Sequence, residues 1–509
     1  MKSLKLTAAQ TALLMAIFTM GSKVIGFIRE MVLANYYGAG VITDAYVMAQ
    51  SIPNMLFASL FSAVAISYMP TFSKKYELNG EHEANLFTSR VLNIVVSISA
   101  VSALLGFLCP DLLVRFFAHN FSPEQAALTE SYLHVTMCIL MFSSICTLME
   151  AFLQYKGVFI PQIVLGYTQS TSVIFFIIIS AYTSHYYLAF GVLVGYVIRS
   201  IGTLVLSRKQ GFHYTPDFHL GEVTRTIVAL ALPIFIGGGV SQINAFVDKS
   251  LASGLVKGSV AALNYANLIT GMIQTVTTTI LVTLIYPKLT QANALKDYDR
   301  VSNIMELGTN VVFIIAAPCT LGAMVYSSPV IQAVYERGAF DASASALTAP
   351  AFFGYAAGIL FHSLNLLLTK LYYSMGNTKT PVVYGIISAV VNITLNFLLV
   401  GPLQQGGLAL ATSIAAGVNT VQLYFGLRKR YPEIQLLRSK RKVVKILGAT
   451  AVAVAISRVA YVGLMAIEAL PGLISLGLAV CVAAVVYLAL LIVCKIDEVK
   501  LIGDLFHRG

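Results

Sequence analysis

The chain has 509 residues, of which 57% are hydrophobic and only 11% are charged. Soluble domains carry about 25% charged residues, so this composition excludes a soluble globular protein and indicates a polytopic membrane protein. The formal net charge of +11 suits contact with anionic lipid headgroups, and nucleic acid is not an expected partner.

Apolar segments long enough to cross a bilayer recur along the whole chain. A membrane-spanning helix needs about 20 apolar residues. By this criterion spans are predicted at residues 9–36, 41–69, 88–108, 126–154, 159–182, 186–207, 224–252, 259–287, 301–326, 345–374, 381–401, 406–427, 443–464 and 471–493. The predicted fold class is therefore an all-α membrane protein with 14 transmembrane helices.

The first predicted span carries charges inside its apolar sequence. Lys23, Arg29 and Glu30 lie in the stretch GSKVIGFIREMVLANYYGAGVITDAY, which begins at residue 21. Ser22, Gly26 and Arg29 follow i, i+4, i+7 spacing and therefore share one helix face. A charge at membrane depth costs roughly 2.5 kcal/mol or more, so it tends to face a partner, a cavity or a substrate. We expect this polar stripe to line a wet surface.

Three charged residues in later spans receive structural predictions. Asp44 follows a glycine-containing turn and is expected to cap the second helix. Arg199 is expected to extend its guanidinium towards a membrane interface. Glu150, near the end of the fourth span, faces either a cavity or the cytoplasmic rim.

The distribution of basic residues predicts the orientation of the chain. With the N-terminus in the cytoplasm, the loop after the twelfth span (428–445) and most other basic positions are cytoplasmic. The opposite side then carries only Arg115, Lys257 and Arg337. Because cytoplasmic loops are enriched in Lys and Arg, both termini are predicted to be cytoplasmic.

An internal repeat divides the predicted spans. Pro161 corresponds to Pro381, and Arg208-Lys209 corresponds to Arg428-Lys429, each at an offset of 220 residues. Each repeat holds six predicted spans, so the two halves have the same orientation, as in transporters with parallel repeats. The predicted parts are an N-lobe at residues 1–215, a C-lobe at 216–430, and a C-terminal two-helix hairpin with its basic linker at 431–509.

Several motifs together resemble one family. They are SKVIGFIRE at 22–30, GAGVITDAY at 38–46, IPN at 52–54, YERGAF at 335–340, YYSMGNTKTP at 372–381, VNITLN at 391–396 and GGLALATS at 406–413. In order and spacing the set resembles the MurJ (MviN) lipid II flippases of the multidrug/oligosaccharidyl-lipid/polysaccharide exporter superfamily. The resemblance implies two six-helix lobes around a cationic cavity, a groove lined by the last two helices, and no covalent chemistry, so the chain is not expected to be an enzyme.

The resemblance also implies substrate-binding residues. Arg29 stands at the position of the family's first-helix arginine, while Lys23 and Glu30 stand where the family usually has arginine and aspartate. Lys370 stands where many members place an arginine. With Ser22 and Gly26 from the same stripe, these residues are the predicted substrate-binding set, because fixed cations lower the barrier for a lipid-linked pyrophosphate.

Two positions depart from the family pattern. Phe57 on the second span and Leu268 on the eighth occupy positions near which many members carry an arginine. Two cationic contacts expected for lipid II are thus missing. This difference keeps a second substrate open, namely another lipid-linked oligosaccharide.

A sodium ion is the one candidate cofactor, and the resemblance places its site at Asp248, Asn392, Asn396 and Thr412. Asn392 and Asn396 are four residues apart on one helix face, and amide and hydroxyl oxygens suit a hard cation. Members that bind sodium often have aspartate where Asn396 stands. The alternatives are that Asp248 pairs with the adjacent Lys249 and that the membrane potential drives transport.

The predicted function is translocation of lipid II, the undecaprenyl-pyrophosphate-linked peptidoglycan precursor, from the inner to the outer leaflet by alternating access. The alternatives are a flippase for another lipid-linked oligosaccharide and a cation-coupled drug or metabolite antiporter of the same superfamily. The predicted location is the bacterial cytoplasmic membrane. The expected partners are the lipid-linked substrate, membrane lipids and the cell-wall synthesis machinery, with the protein acting as a monomer.

Overall fold

The computed structural model describes residues 8–217, 221–435, 438, 440–466, 471–496 and 498. Across these residues the regular structure is helical, apart from an isolated β-bridge between Arg337 and Phe340. The predicted class, an all-helical membrane protein, is confirmed.

The helices follow the apolar segments closely. They are α1 (Ala8–Tyr37), α2 (Val41–Leu108), α3 (Pro110–Phe117), α4 (Pro123–Tyr155), α5 (Ile160–Tyr182), α6 (Leu188–Lys209), α7 (Gly221–Ala252), α8 (Ser259–Ile280), α9 (Tyr286–Ala294), α10 (Tyr298–Val325), α11 (Ser327–Tyr335), α12 (Ala342–Ala356), α13 (Ile359–Ser374), α14 (Lys379–Arg430), α15 (Lys440–Met465) and α16 (Gly472–Val493). A 3₁₀ turn at His185–Tyr187 precedes α6, and a π-helical turn at Leu281–Ile285 joins α8 to α9.

Nine helical stretches of the described chain are long and apolar enough to cross a membrane. The long helices α2 and α14 each hold two of the predicted spans. The count of fourteen spans stays a prediction.

The predicted loop between the second and third spans is helical in the structure. α2 continues through it with a single break at Gly80, where φ is +84°. Glycine adopts this left-handed conformation without the steric cost that a side chain would impose. α14 has a similar break at Gln404, with φ of +49°, just after Pro402. Each break allows one continuous helical stretch to carry two apolar segments.

The chain divides into two compact units. The first is Met1–Ala261 with Arg337–Phe340, and the second is Ala262–Glu336 with Asp341–Gly509. α7 belongs to the first unit because it packs against α2. The compact units therefore divide at a different point from the repeat, whose predicted lobe limits (1–215, 216–430 and 431–509) stay predictions.

An aromatic core holds the first unit together beside the break in α2. The rings of Tyr68 and Phe87 come from the two halves of α2 and stack with centroids 5.8 Å apart. Phe72 meets Phe152 of α4 edge to face at 5.5 Å. Such aromatic pairs add about 0.5–1.5 kcal/mol each beyond their buried area, so they hold the folded-back α2 against α4.

The C-terminal pair of helices packs within the second unit. α15 lies against α16 and against α10. The Tyr487 hydroxyl of α16 donates to the carbonyl of Ile314 at 2.9 Å, and both residues belong to one buried apolar cluster. The appended hairpin is thus anchored on α10.

Candidate substrate and cation sites

The charges predicted on the first helix form an ion pair. Arg29 donates through Nε and Nη2 to Oε1 of Glu30, at 3.0 and 2.6 Å. Glu30 is buried, with 6% of its surface exposed, while the Arg29 side chain is 24% exposed. A charge-assisted pair of this kind is stronger than a neutral hydrogen bond. Glu30 therefore offsets part of the positive charge that Arg29 offers to an anion.

The rest of the predicted stripe divides between an exposed edge and a packed face. Lys23 is exposed, whereas Ser22 and Gly26 are half-buried. A Cβ on Gly26 would stand 3.9 Å from the hydroxyl of Ser170 in α5, so this face of α1 packs against α5. The Tyr167 hydroxyl of α5 adds a hydrogen bond to a carbonyl of α1. The role of Ser22, Gly26 and Lys23 in substrate binding stays a prediction.

Lys249 on α7 lies in this region, although the sequence indicated it only as a partner for Asp248. Its ammonium donates to the hydroxyl of Ser51 in α2 and interacts electrostatically with Asp248 and Glu30. The structure thus brings together Arg29, Glu30, Asp248 and Lys249, which we call the α1–α7 charge cluster. A lysine inside the apolar seventh segment was a signal for it, because a membrane-depth charge needs a partner.

A second ion pair links Arg199 and Glu150 in the first unit. The Nη2 of Arg199 lies 2.6 Å from Oε1 of Glu150, so α6 is tied to α4. The predicted positions of both residues relative to the membrane stay predictions. The Nη1 of Arg199 also donates to Gln169 of α5 at 3.4 Å. Tyr196 interacts electrostatically with both Arg199 and Arg29. The polar groups of the first unit are therefore coupled across four helices.

Asp44 does not cap the second helix as predicted. The N-cap of α2 is Gly40, without a side-chain hydrogen bond. The buried Asp44 carboxylate instead accepts from the backbone N–H of Gly258 at 2.6 Å and of Ala261 at 2.8 Å, at the start of α8. Gln125 of α4 donates to it at 3.1 Å. A carboxylate at a helix N-terminus satisfies unpaired amides and matches the helix dipole.

The short segment Arg337–Phe340, between α11 and α12, belongs to the first unit and contacts the end of α1. The Ala339 amide donates to the carbonyl of Asn35 at 2.8 Å. Gly338 and Gly38 both have positive φ, +59° and +61°. A Cβ on Gly338 would overlap the Asn35 carbonyl, so this contact requires glycine. The motif YERGAF thus marks a backbone docking point.

In the second unit, Lys370 lies between two aromatic rings. Its ammonium is 5.0 Å from the ring centroid of Tyr286 and 5.9 Å from that of Tyr373. These distances suit cation–π contacts, in which the faces of the aromatic rings attract the ammonium. Its role in substrate binding stays a prediction.

Three of the four residues predicted for a sodium site lie together on α14. Asn392 donates to the Thr412 hydroxyl at 3.3 Å, and Asn396 donates to Oδ1 of Asn392 at 3.2 Å. Both asparagines are buried. Their oxygens are of the kind that a hard cation prefers. Asp248 belongs to the first unit, and its part in such a site stays a prediction.

Phe57 and Leu268, the two positions that depart from the family pattern, lie in the structure as uncharged side chains. Phe57 stacks on Phe61, with ring centroids 5.9 Å apart. Leu268 lies half-buried on α8. Neither position supplies a cation. Within the first unit, Lys249 is a further cation that the structure brings near the first helix.

Comparison with known proteins now identifies the family. The family model for the lipid II flippase MurJ matches residues 33–484. This chain belongs to the MurJ family. The match includes Lys370 and the residues predicted for a sodium site, whereas Lys23, Arg29 and Glu30 lie just before it. The resemblance found in the sequence motifs is confirmed.

Individual relatives cover most of the chain. It is 28% identical over 446 residues to a probable lipid II flippase MurJ of Treponema pallidum, covering 85% of this chain and 84% of that one. It is 26% identical over 429 residues to the lipid II flippase MurJ of Burkholderia cenocepacia, covering 81% and 82%. The similarity therefore spans more than four fifths of the length of these MurJ proteins.

Solved structures share the fold. A lipid II flippase MurJ in an inward closed conformation matches with a TM-score of 0.84 at 22% identity, covering 96% of this chain and all of that one. An inward-facing multidrug resistance MATE family transporter of the MOP superfamily matches with a TM-score of 0.67 at 12% identity, covering 84% and 100%. Both matches show that this chain shares the fold of these transporters.

Proposed function

We propose that this protein translocates lipid II from the inner to the outer leaflet of the bacterial cytoplasmic membrane. The observation that carries the proposal is the match of residues 33–484 to the lipid II flippase MurJ family. Transport of this kind makes and breaks no covalent bond, so no catalytic residue is assigned.

The α1–α7 charge cluster supports the proposal physically. A pyrophosphate needs cations at membrane depth, and Arg29 and Lys249 supply two of them on α1 and α7. Glu30 and Asp248 balance the pair when no substrate is present, which lowers the cost of keeping these charges away from bulk water. An arriving anion would compete with Glu30 for Arg29.

The finer architecture forms part of the same proposal. We propose fourteen spans, arranged as two six-helix lobes in parallel repeat with a C-terminal hairpin, and alternating access as the transport mode. Both termini are proposed to be cytoplasmic, on the distribution of basic residues. The protein is proposed to act as a monomer and to contact the cell-wall synthesis machinery.

Complementation tests the function. A bacterium depleted of its own lipid II flippase is supplied with this gene, and two quantities are measured. They are viability and the amount of lipid II that an added pyrophosphate-cleaving enzyme reaches from outside. Wild type should restore both, and Arg29→Ala should restore neither although it reaches the membrane at normal levels.

Matched arginine variants make the test specific. Arg115→Ala removes an exposed arginine from α3 and should leave rescue intact. Arg29→Lys keeps the charge but loses the planar fork that grips phosphate oxygens, so partial rescue is expected. Full rescue by Arg29→Ala would contradict the proposed role of the charge cluster. The proposed flippase function would then depend on the result with the wild-type protein.

Another lipid-linked oligosaccharide is the second candidate substrate, favoured by Phe57. Its ring stacks on Phe61 and offers no charge to a pyrophosphate. If wild type inserts normally but fails to restore external lipid II, this substrate class gains support. An unrelated drug or metabolite that competes for transport would favour the antiporter alternative.

We also propose that sodium binds at Asp248, Asn392, Asn396 and Thr412. The mutual contacts of the last three support it, because a cation could replace the hydrogen bonds between their oxygens and amides. Sodium, but not potassium at equal ionic strength, should raise the melting temperature of wild type. The increase should disappear in Asn392→Ala and in Asp248→Ala. An unchanged shift in both variants would eliminate the site.

A further inference from the structure

A cleft in the first unit is lined by apolar side chains. It lies between the two halves of α2 and α7, opens to the surface, and has a cavity volume of about 110 Å³. Phe61, Val95 and Ala231 in its lining are buried, whereas Val228 and Leu232 at its edge are each 51% exposed. An apolar cleft at membrane depth is filled by hydrocarbon rather than by water, since water there would lose its hydrogen bonds.

One face of α7 combines this cleft with a positive charge. Arg225, Val228, Leu232 and Phe235 follow i, i+3, i+7, i+10 spacing, and the last three line the cleft. Arg225 is exposed. A rise of 1.5 Å per residue places Arg225 and Leu232 about 10 Å apart along the helix axis. Along this face, from the start of α7 onward, the cation of Arg225 is therefore followed by apolar side chains.

An acidic residue that precedes α7 in sequence already has a cationic partner. Asp217 pairs with Arg90 of α2 at 2.7 Å. Asn93, next to the cleft residue Ile94, donates to the Asp217 carbonyl at 2.9 Å. Arg90 offsets the negative charge of Asp217. The positive charge of Arg225 therefore makes this end of the cleft suited to an anion.

We propose that the cleft binds an anionic phospholipid of the cytoplasmic leaflet. Its acyl chain lies between α2 and α7, and its phosphate lies beside Arg225. The predicted topology places the start of α7 at the cytoplasmic side, where such headgroups lie. A zwitterionic lipid would fill the cleft equally well but would gain less from the arginine. This site is separate from the α1–α7 charge cluster, and the proposal does not depend on the transported substrate.

The absence of tryptophan from the sequence provides a clean test. Leu232→Trp places a single reporter at the cleft, and Phe175→Trp places a control on α5, where Phe175 is 59% exposed. Each variant is reconstituted with brominated phosphatidylglycerol or brominated phosphatidylcholine, and fluorescence quenching gives the relative binding constant. The anionic lipid should be preferred about five-fold at Leu232→Trp, the effect expected of one basic residue near a headgroup. At Phe175→Trp the ratio should be close to one.

Two arginine variants decide the role of charge. Arg225→Ala in the reporter background should bring the preference close to one, whereas Arg208→Ala, which removes an exposed arginine from α6, should leave it unchanged. If Leu232→Trp does not fold, Val228→Trp serves as the reporter. Equal ratios at the cleft and control positions, or a preference that survives Arg225→Ala, would overturn the proposal. Displacement by a polyprenyl phosphate without discrimination between the phospholipids would make the cleft a substrate-tail site and would also overturn it.

Discussion

The ion pair between Arg199 and Glu150 should contribute to stability only while both partners are present. Two guanidinium nitrogens contact one carboxylate oxygen, Nη2 at 2.6 Å and Nε at 2.8 Å, and the side chains are only 22% and 20% exposed. Removing one partner of a buried pair costs about 3–5 kcal/mol, because the remaining charge loses its compensation. Because both side chains are partly exposed, we expect a cost at the lower end of this range, about 3 kcal/mol. Replacing both partners by apolar residues is often close to neutral.

A double-mutant cycle measures this coupling. Glu150→Leu and Arg199→Leu should each lower the melting temperature by about 3–6 °C, and the double variant should recover most of that loss. The readout is the temperature at which the buried thiol of Cys146 and the half-buried thiols react with a fluorogenic maleimide. As a control, Lys257→Ala breaks an exposed pair and should change little. A double variant whose loss equals the sum of the two single losses would refute the coupling.

Three further outcomes are expected. Gly338→Ala should destabilise the protein by about 1–3 kcal/mol through overlap with a carbonyl of α1, whereas Gly376→Ala, at a similar positive φ in open space, should cost less; equal melting temperatures would contradict this. Asp44→Ala should speed hydrogen exchange at the first amides of α8, and unchanged exchange would disprove the cap. Burial raises the pKa of Glu498, but bonds from Lys442 and an α10 amide outweigh it and lower the pKa overall. Its stabilisation is therefore present above the unfolded-state pKa and lost as pH falls through the folded-state value, and Lys442→Ala should flatten the low-pH fall in melting temperature.

Much of the fold could be predicted because apolar length is a local property. The fifth span, predicted at 159–182, is α5 (Ile160–Tyr182), and the fourteenth, predicted at 471–493, is α16 (Gly472–Val493). The helical continuation of α2 past residue 69 was not predicted. Polarity ends a membrane span but does not end a helix, and only Gly80 interrupts the backbone there.

The candidate site was only partly predictable because charge partners are non-local. The contacts among Asn392, Asn396 and Thr412 followed from a helix period and motif resemblance. The partner of Arg199, by contrast, is 49 residues away on another helix. Spacing along one segment carries no information about which neighbouring helix faces it.

The sequence by itself determined the membrane class, the helical segments, the family and the positions at which charges interrupt the apolar segments. These depend on composition, on short-range periodicity and on motif order. Only the tertiary structure decided that Asp44 caps α8, that Lys249 lies near charged residues of the first helix, and that Arg225 precedes the α7 residues that line an apolar cleft. The physical reason is that a buried charge must find a partner, and helix packing determines which one lies within reach.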